Sequence, residues 1–78
     1  MNACNWEVIG EFSSLGEYRR FYAWIGDQVA HGLAEQVAVQ DSYAGEMFDE
    51  KWFRCMQFGD VWRLVAPDGP FNGYWGAV

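Results

Sequence analysis

The spacing of hydrophobic and polar residues changes several times along the chain, and each change predicts an element. From Trp6 to Phe12, Trp6, Val8 and Gly10 point one way while Glu7, Ile9 and Glu11 point the other, which predicts a first strand. The period then lengthens. Tyr18, Phe21, Tyr22, Ile25 and Val29 follow the i, i+3, i+4, i+7, i+11 spacing of one buried helical stripe, with Arg19, Arg20, Asp27 and Gln28 largely off it. Trp24 falls at the stripe's edge. Ser14 with Glu17 three residues on reads as a capping box, so the helix is expected from about Leu15 to Ala30 or His31. Gly32 is its expected left-handed stop, and His31 lies near the negative end of the helix dipole.

Past the helix the alternation returns. Glu35 to Gln40, around Val37 and Val39, predicts a short strand. Lys51 to Gln57 and Val61 to Ala66 predict a hairpin through Phe58-Gly59-Asp60, with Val61, Arg63 and Val65 on one face and Trp62, Leu64 and Ala66 on the other. Pro67-Asp68-Gly69-Pro70 must turn the chain, because proline cannot donate to a central ladder, and Tyr74 and Trp75 suit a final edge strand. The fold class expected is α+β: one helix packed on a small antiparallel sheet, in the order β-α-β and then a β-hairpin or meander. Burial is expected for Phe21, Ile25, Leu64 and one of Trp52 or Trp62. At 78 residues the chain makes one compact domain, 1–78.

Composition adds two constraints. Aromatic residues are 19% of the chain, a large core for so short a sequence, so some rings are expected to stay exposed or to cover a partner. Eleven acids against five Lys and Arg give a net charge of −6, which argues against binding nucleic-acid phosphates. Lys51, Arg54 and Arg63 are expected in cross-strand ion pairs, flanked as they are by Asp49, Glu50 and Asp60. The residues before Trp6 lack a basic n-region and an apolar h-region, so no signal peptide is expected, and no apolar run approaches the roughly 18 residues of a membrane span. With only Cys4 and Cys55, the default is a cytoplasmic protein with reduced thiols; a Cys4–Cys55 bridge is the alternative if the first strand lies beside the one carrying Cys55.

Chemistry finds little to work with. One His and two Cys cannot make a four-ligand metal set, so no metal or other cofactor is expected. Trp52 to Gly59 has the outline of a zinc-knuckle strand with Phe58 where a second Cys would stand, but a hairpin turn explains the same residues. His31, the only imidazole, reads as a cap and Ser13 and Ser14 as helix-start residues, so no catalytic residue is assigned and no enzyme is expected. The segment that stands out runs from Asp41 to Glu50, where four of eleven acids fall in ten residues beside Tyr43, Met47 and Phe48. Charge at the rim around an aromatic anchor is how protein interfaces are built. Asp41, Glu46, Asp49 and Glu50 are therefore the expected steering charges for a protein partner, with Tyr43 the central anchor.

Phe48-Asp49-Glu50-Lys51-Trp52-Phe53-Arg54-Cys55, followed by Gly59-x-x-Trp62-Arg63-Leu64-Val65-x-Pro67-Asp68-x-Pro70-Phe71-x-Gly73, resembles the C-terminal half of small bacterial immunity-type proteins. It covers about a third of the chain, from Phe48 to Gly73. The resemblance implies a cytoplasmic bacterial inhibitor that neutralises a toxin or enzyme by binding it. Two other readings compete: a self-associating domain, with a homodimer formed through exposed Trp and Phe, and a phage-type inhibitor whose carboxylates imitate DNA.

Overall fold

The computed structural model describes residues 6–41, 43, 45 and 48–78. Helix α1 spans Leu15–Ala30, and four strands follow it: β1 Ala34–Val37, β2 Glu50–Cys55, β3 Val61–Val65 and β4 Tyr74–Ala77. They form one antiparallel sheet in the order β1-β2-β3-β4, a meander with every strand beside its chain neighbour. The α+β class is as the sequence predicts.

Both helix ends are closed by local chemistry. Ser14 Oγ accepts from the Glu17 N–H (3.1 Å), and Glu17 Oε1 accepts from the Ser13 N–H (2.9 Å), so two otherwise orphaned donors are satisfied. The Phe12 ring packs edge-on against Tyr18, 5.5 Å away, fixing the angle at which the chain enters the helix. At the other end the Leu33 N–H donates to Gln28 O and the Gly32 N–H to Val29 O, the paired bonds of a Schellman stop. Gly32 makes this stop with φ +75°, which a side chain would resist. His31 Nδ1 also donates to the Asp27 carbonyl at 2.7 Å.

Strand alternation separates the two faces of the sheet. Phe53, Trp62, Leu64 and Trp75 point toward the helix and form the core with Phe12, Tyr18, Ile25 and Ala34. Ile25 and Leu64 are fully enclosed. Phe21 is only partly buried, and Tyr22 and Trp24 are exposed, so the helix buries a narrower stripe than its spacing implies. Trp52 and Trp62 are both buried, although they stand on opposite faces.

Two expectations are corrected here. The strand over Trp6 to Phe12 reduces to a single bridge, in which the N–H and C=O of Ile9 exchange hydrogen bonds with Trp75 at 2.8 and 2.9 Å. Glu7, Val8, Gly10 and Glu11 are exposed, so the segment offers the sheet too little apolar surface to extend the ladder. It runs along the β4 edge as a strap, and the Phe12 N–H donates to Asn72 O. The second correction concerns Cys55, which is disulfide-bonded and buried rather than a reduced thiol. Cys4 lies outside the described residues. Phe58, the position compared with a zinc-knuckle ligand, is 59% exposed at the tip of the hairpin.

Ile25→Ala should lower the unfolding free energy by about 2–5 kcal/mol, because a fully enclosed side chain leaves a cavity. Gly73→Ala should also destabilise clearly. Gly73 has φ +84°, and a Cβ there would stand 2.8 Å from both the Phe12 ring and the Val65 carbonyl. Urea titration checks both; a change in either variant no larger than the roughly 0.5 kcal/mol of a surface substitution contradicts this packing.

Candidate functional site

The face of the sheet turned away from the helix carries the residues of interest. The β2–β3 register sets Trp52 opposite Arg63 and Glu50 opposite Val65, so Glu50, Trp52 and Arg63 converge on that face. The β3–β4 register then places Tyr74 beside Val65. Trp52 and Val65 are buried although no helix covers them.

Glu50 organises this cluster. Its Oε1 accepts from the backbone N–H of Tyr43 (2.8 Å), and its Oε2 accepts from Trp52 Nε1 (2.6 Å). Arg63 Nε lies 3.7 Å from Oε2, and the two side chains are only 12% and 3% exposed respectively. The Arg63 guanidinium lies 5.4 Å from the ring centres of both Tyr43 and Trp52, so it joins the two aromatics by cation–π attraction. The Tyr43 ring stacks on Tyr74 with centroids 4.5 Å apart and planes 4° from parallel. Gly76 makes that stack possible: the Tyr74 ring and hydroxyl occupy the place a Cβ on Gly76 would take.

The expected site residues therefore separate into groups. Tyr43 and Glu50 come together, but in different roles. Tyr43 is 51% exposed, whereas Glu50 is buried and cannot act as a rim charge. Its carboxylate instead holds the loop backbone, the Trp52 indole and Arg63, because a buried charge must be paired. Asp41 and Asp49 are exposed. Asp49 accepts from Lys51 Nζ through both carboxylate oxygens, at 2.9 and 3.0 Å. Glu46 lies outside the described residues. Trp52, Arg63 and Tyr74, expected as a core ring, an ion-pair cation and an edge-strand residue, complete the cluster; the two-residue spacing of Glu50 and Trp52 on one strand is the signal that links them.

The hairpin cations are paired as expected, with one change of geometry. Arg54 bridges to Glu35 across β1 and β2 (2.6 Å) and Arg63 pairs with Glu50 across β2 and β3, while Lys51 pairs with Asp49 two residues away along its own chain segment. Among the described residues, no three His, Cys, Asp or Glu side chains are grouped to hold a metal ion. No helix among them is long and apolar enough to cross a membrane. Comparison with protein-family models, curated proteins and solved structures finds no match.

Glu50→Ala should cost about 3 kcal/mol or more, since it leaves the buried Arg63 charge without its counter-charge and the Trp52 N–H without an acceptor. A loss below about 1 kcal/mol by urea titration would contradict the pairing. A second expectation concerns alkaline pH. Burial, with a further push from Asp49, raises the Tyr18 pKa, while Lys51 is raised because its hydrogen bond and attraction to Asp49 outweigh its partial burial. Both groups hold their protons more firmly folded than unfolded. Their contribution is thus complete below about pH 10 and lost as the pH rises through the raised values. The urea midpoint should fall from pH 9 to 11, and less steeply in Tyr18→Phe; equal slopes in the two proteins would contradict it.

Proposed function

We propose that the protein acts by binding another protein through the surface centred on Tyr43, as an immunity-like inhibitor of a basic toxin or enzyme. One observation carries this reading: Tyr43 is half exposed, yet its ring, its backbone N–H and its cation–π contact are all fixed from beneath. An aromatic side chain already ordered before contact loses little freedom when a partner covers it. Residues of this kind supply the anchors of protein interfaces. Asp41 and Asp49 stand exposed in the same acidic segment, where they favour a partner of opposite charge and speed its approach. The reading requires no catalytic group and no cofactor.

The resemblance over Phe48 to Gly73 supplies the inhibitor class, and it also implies a cytoplasmic bacterial protein. The Cys55 disulfide points the other way, because such bonds persist in oxidising compartments. Alkylation of protein taken directly from its own cells, followed by mass measurement, decides between them: an unmodified Cys55 favours the oxidising compartment and an alkylated one the cytoplasm.

Self-association is the second reading. Leu33, Met56 and Phe58 are exposed apolar residues around the hairpin end, and the Met56 N–H donates to Leu33 O. Light scattering giving a dimer mass for the protein alone would favour it.

The test of the first reading uses the purified product of the neighbouring gene as titrant. Tyr43→Ala should speed dissociation and weaken binding by about 2 kcal/mol or more. Asp41→Asn with Asp49→Asn should slow association several-fold at low salt and leave dissociation nearly unchanged. Unaltered kinetics in both variants would place the interface elsewhere.

A further inference from the structure

A second concave surface lies on the helix side of the sheet, between the N-terminal strap, α1 and β4. It is a cleft of about 380 Å³ walled by Trp6, Phe21, Trp24 and Trp75, with Glu7 and Val8 at its strap side. That volume falls within the roughly 300–1,000 Å³ of small-ligand sites. The rings meet at angles that make a cup. Trp75 contacts Trp6 at 5.3 Å and 63° and Phe21 at 4.8 Å and 57°, and Trp24 extends the Phe21 wall at 5.3 Å and 49°. Trp75 is fully buried and backs the cleft from beneath, so the rings within a ligand's reach are the partly buried Trp6 and Phe21 and Trp24, which is 40% exposed at the mouth.

We propose that this cleft binds a quaternary ammonium group. Aromatic faces present negative charge, and a cation that gives up its water between several of them is held by about 2 kcal/mol or more. Among the described residues the only charged side chain in the lining is acidic, Glu7, and the chain as a whole carries a net charge of −6. Arg20, on the same helix as Phe21 and Trp24, has its Nη1 over Gly16, one turn toward the helix start.

The polar groups of the wall select the type of cation. The N–H and C=O of Ile9 are both committed to Trp75, and an indole N–H such as that of Trp6 can only donate. A primary ammonium brings three N–H donors that would need acceptors. A quaternary ammonium brings none, so the aromatic cup and one carboxylate suffice for it.

Calorimetric titration with choline, and with its neutral isostere 3,3-dimethylbutanol, tests the proposal on the intact protein. Choline should bind saturably and the isostere about tenfold more weakly or not at all. Trp24→Leu keeps an apolar side chain at this exposed position but removes its π face, and Glu7→Gln removes the charge; both should weaken choline several-fold with unchanged circular dichroism. An amide of trimethyl-lysine in a parallel titration identifies the source of the group. Affinity equal to that of choline assigns a free ligand, and affinity about tenfold higher assigns a modified side chain. Absence of saturable choline binding would overturn the proposal, as would equal affinity for the isostere or full affinity in Trp24→Leu.

Discussion

A sheet of four short strands with one helix can bury only one of its faces by helix packing, and the far face here is closed by a charge. Glu50 stands at the first position of β2, where its carboxylate accepts from the Tyr43 backbone and the Trp52 indole and lies beside Arg63. Removing it would release three groups together: a loop, a buried indole and a guanidinium held between two rings. The helix side is packed differently. Ile25, Leu64, Phe53 and Trp75 pack there as apolar surface, and the loss of one such side chain is a local matter of volume.

That asymmetry links the fold to the proposed function. A loop ordered only by its own turns would have to be frozen on contact with a partner, at a cost in entropy. The loop at Tyr43 is tied to a strand residue and stacked on β4, so the aromatic platform belongs to the folded domain. Buried polar contacts of this kind are demanding, since each unsatisfied atom costs stability, and Arg63 Nε is such an atom. The guanidinium gains instead from the two rings beside it.

What could be read in the sequence was local. The Ser14–Glu17 cap, the Gly32 stop and the Gly59 turn each depend on residues within five positions, and each is present as expected. The β2–β3 hairpin was legible for the same reason. Trp6 to Phe12 misled because an alternating pattern shows that a segment can be a strand, not that a neighbour has room to pair with all of it; Ile9 alone forms a β-bridge, with Trp75. Glu50 looked like one acid among four because charge density along a chain does not show burial. Its role depends on Arg63 thirteen positions on and on a loop that folds back over the sheet. Tyr74 was hidden for a further reason: its stack with Tyr43 needs the β4 register and the missing side chain of Gly76. The Cys55 disulfide likewise follows from proximity in space, which spacing alone does not give.

Glu50 orders the exposed Tyr43 before any partner arrives. Amide hydrogen exchange at Tyr43 reports on this, because Tyr43 lies in no helix or strand and its N–H is bonded to Glu50 Oε1. Exchange should be at least about tenfold slower than in an unstructured chain, with the protection abolished in Glu50→Ala under conditions where the β3 amides remain protected. Exchange of Tyr43 at the unstructured rate in the parent protein would contradict it.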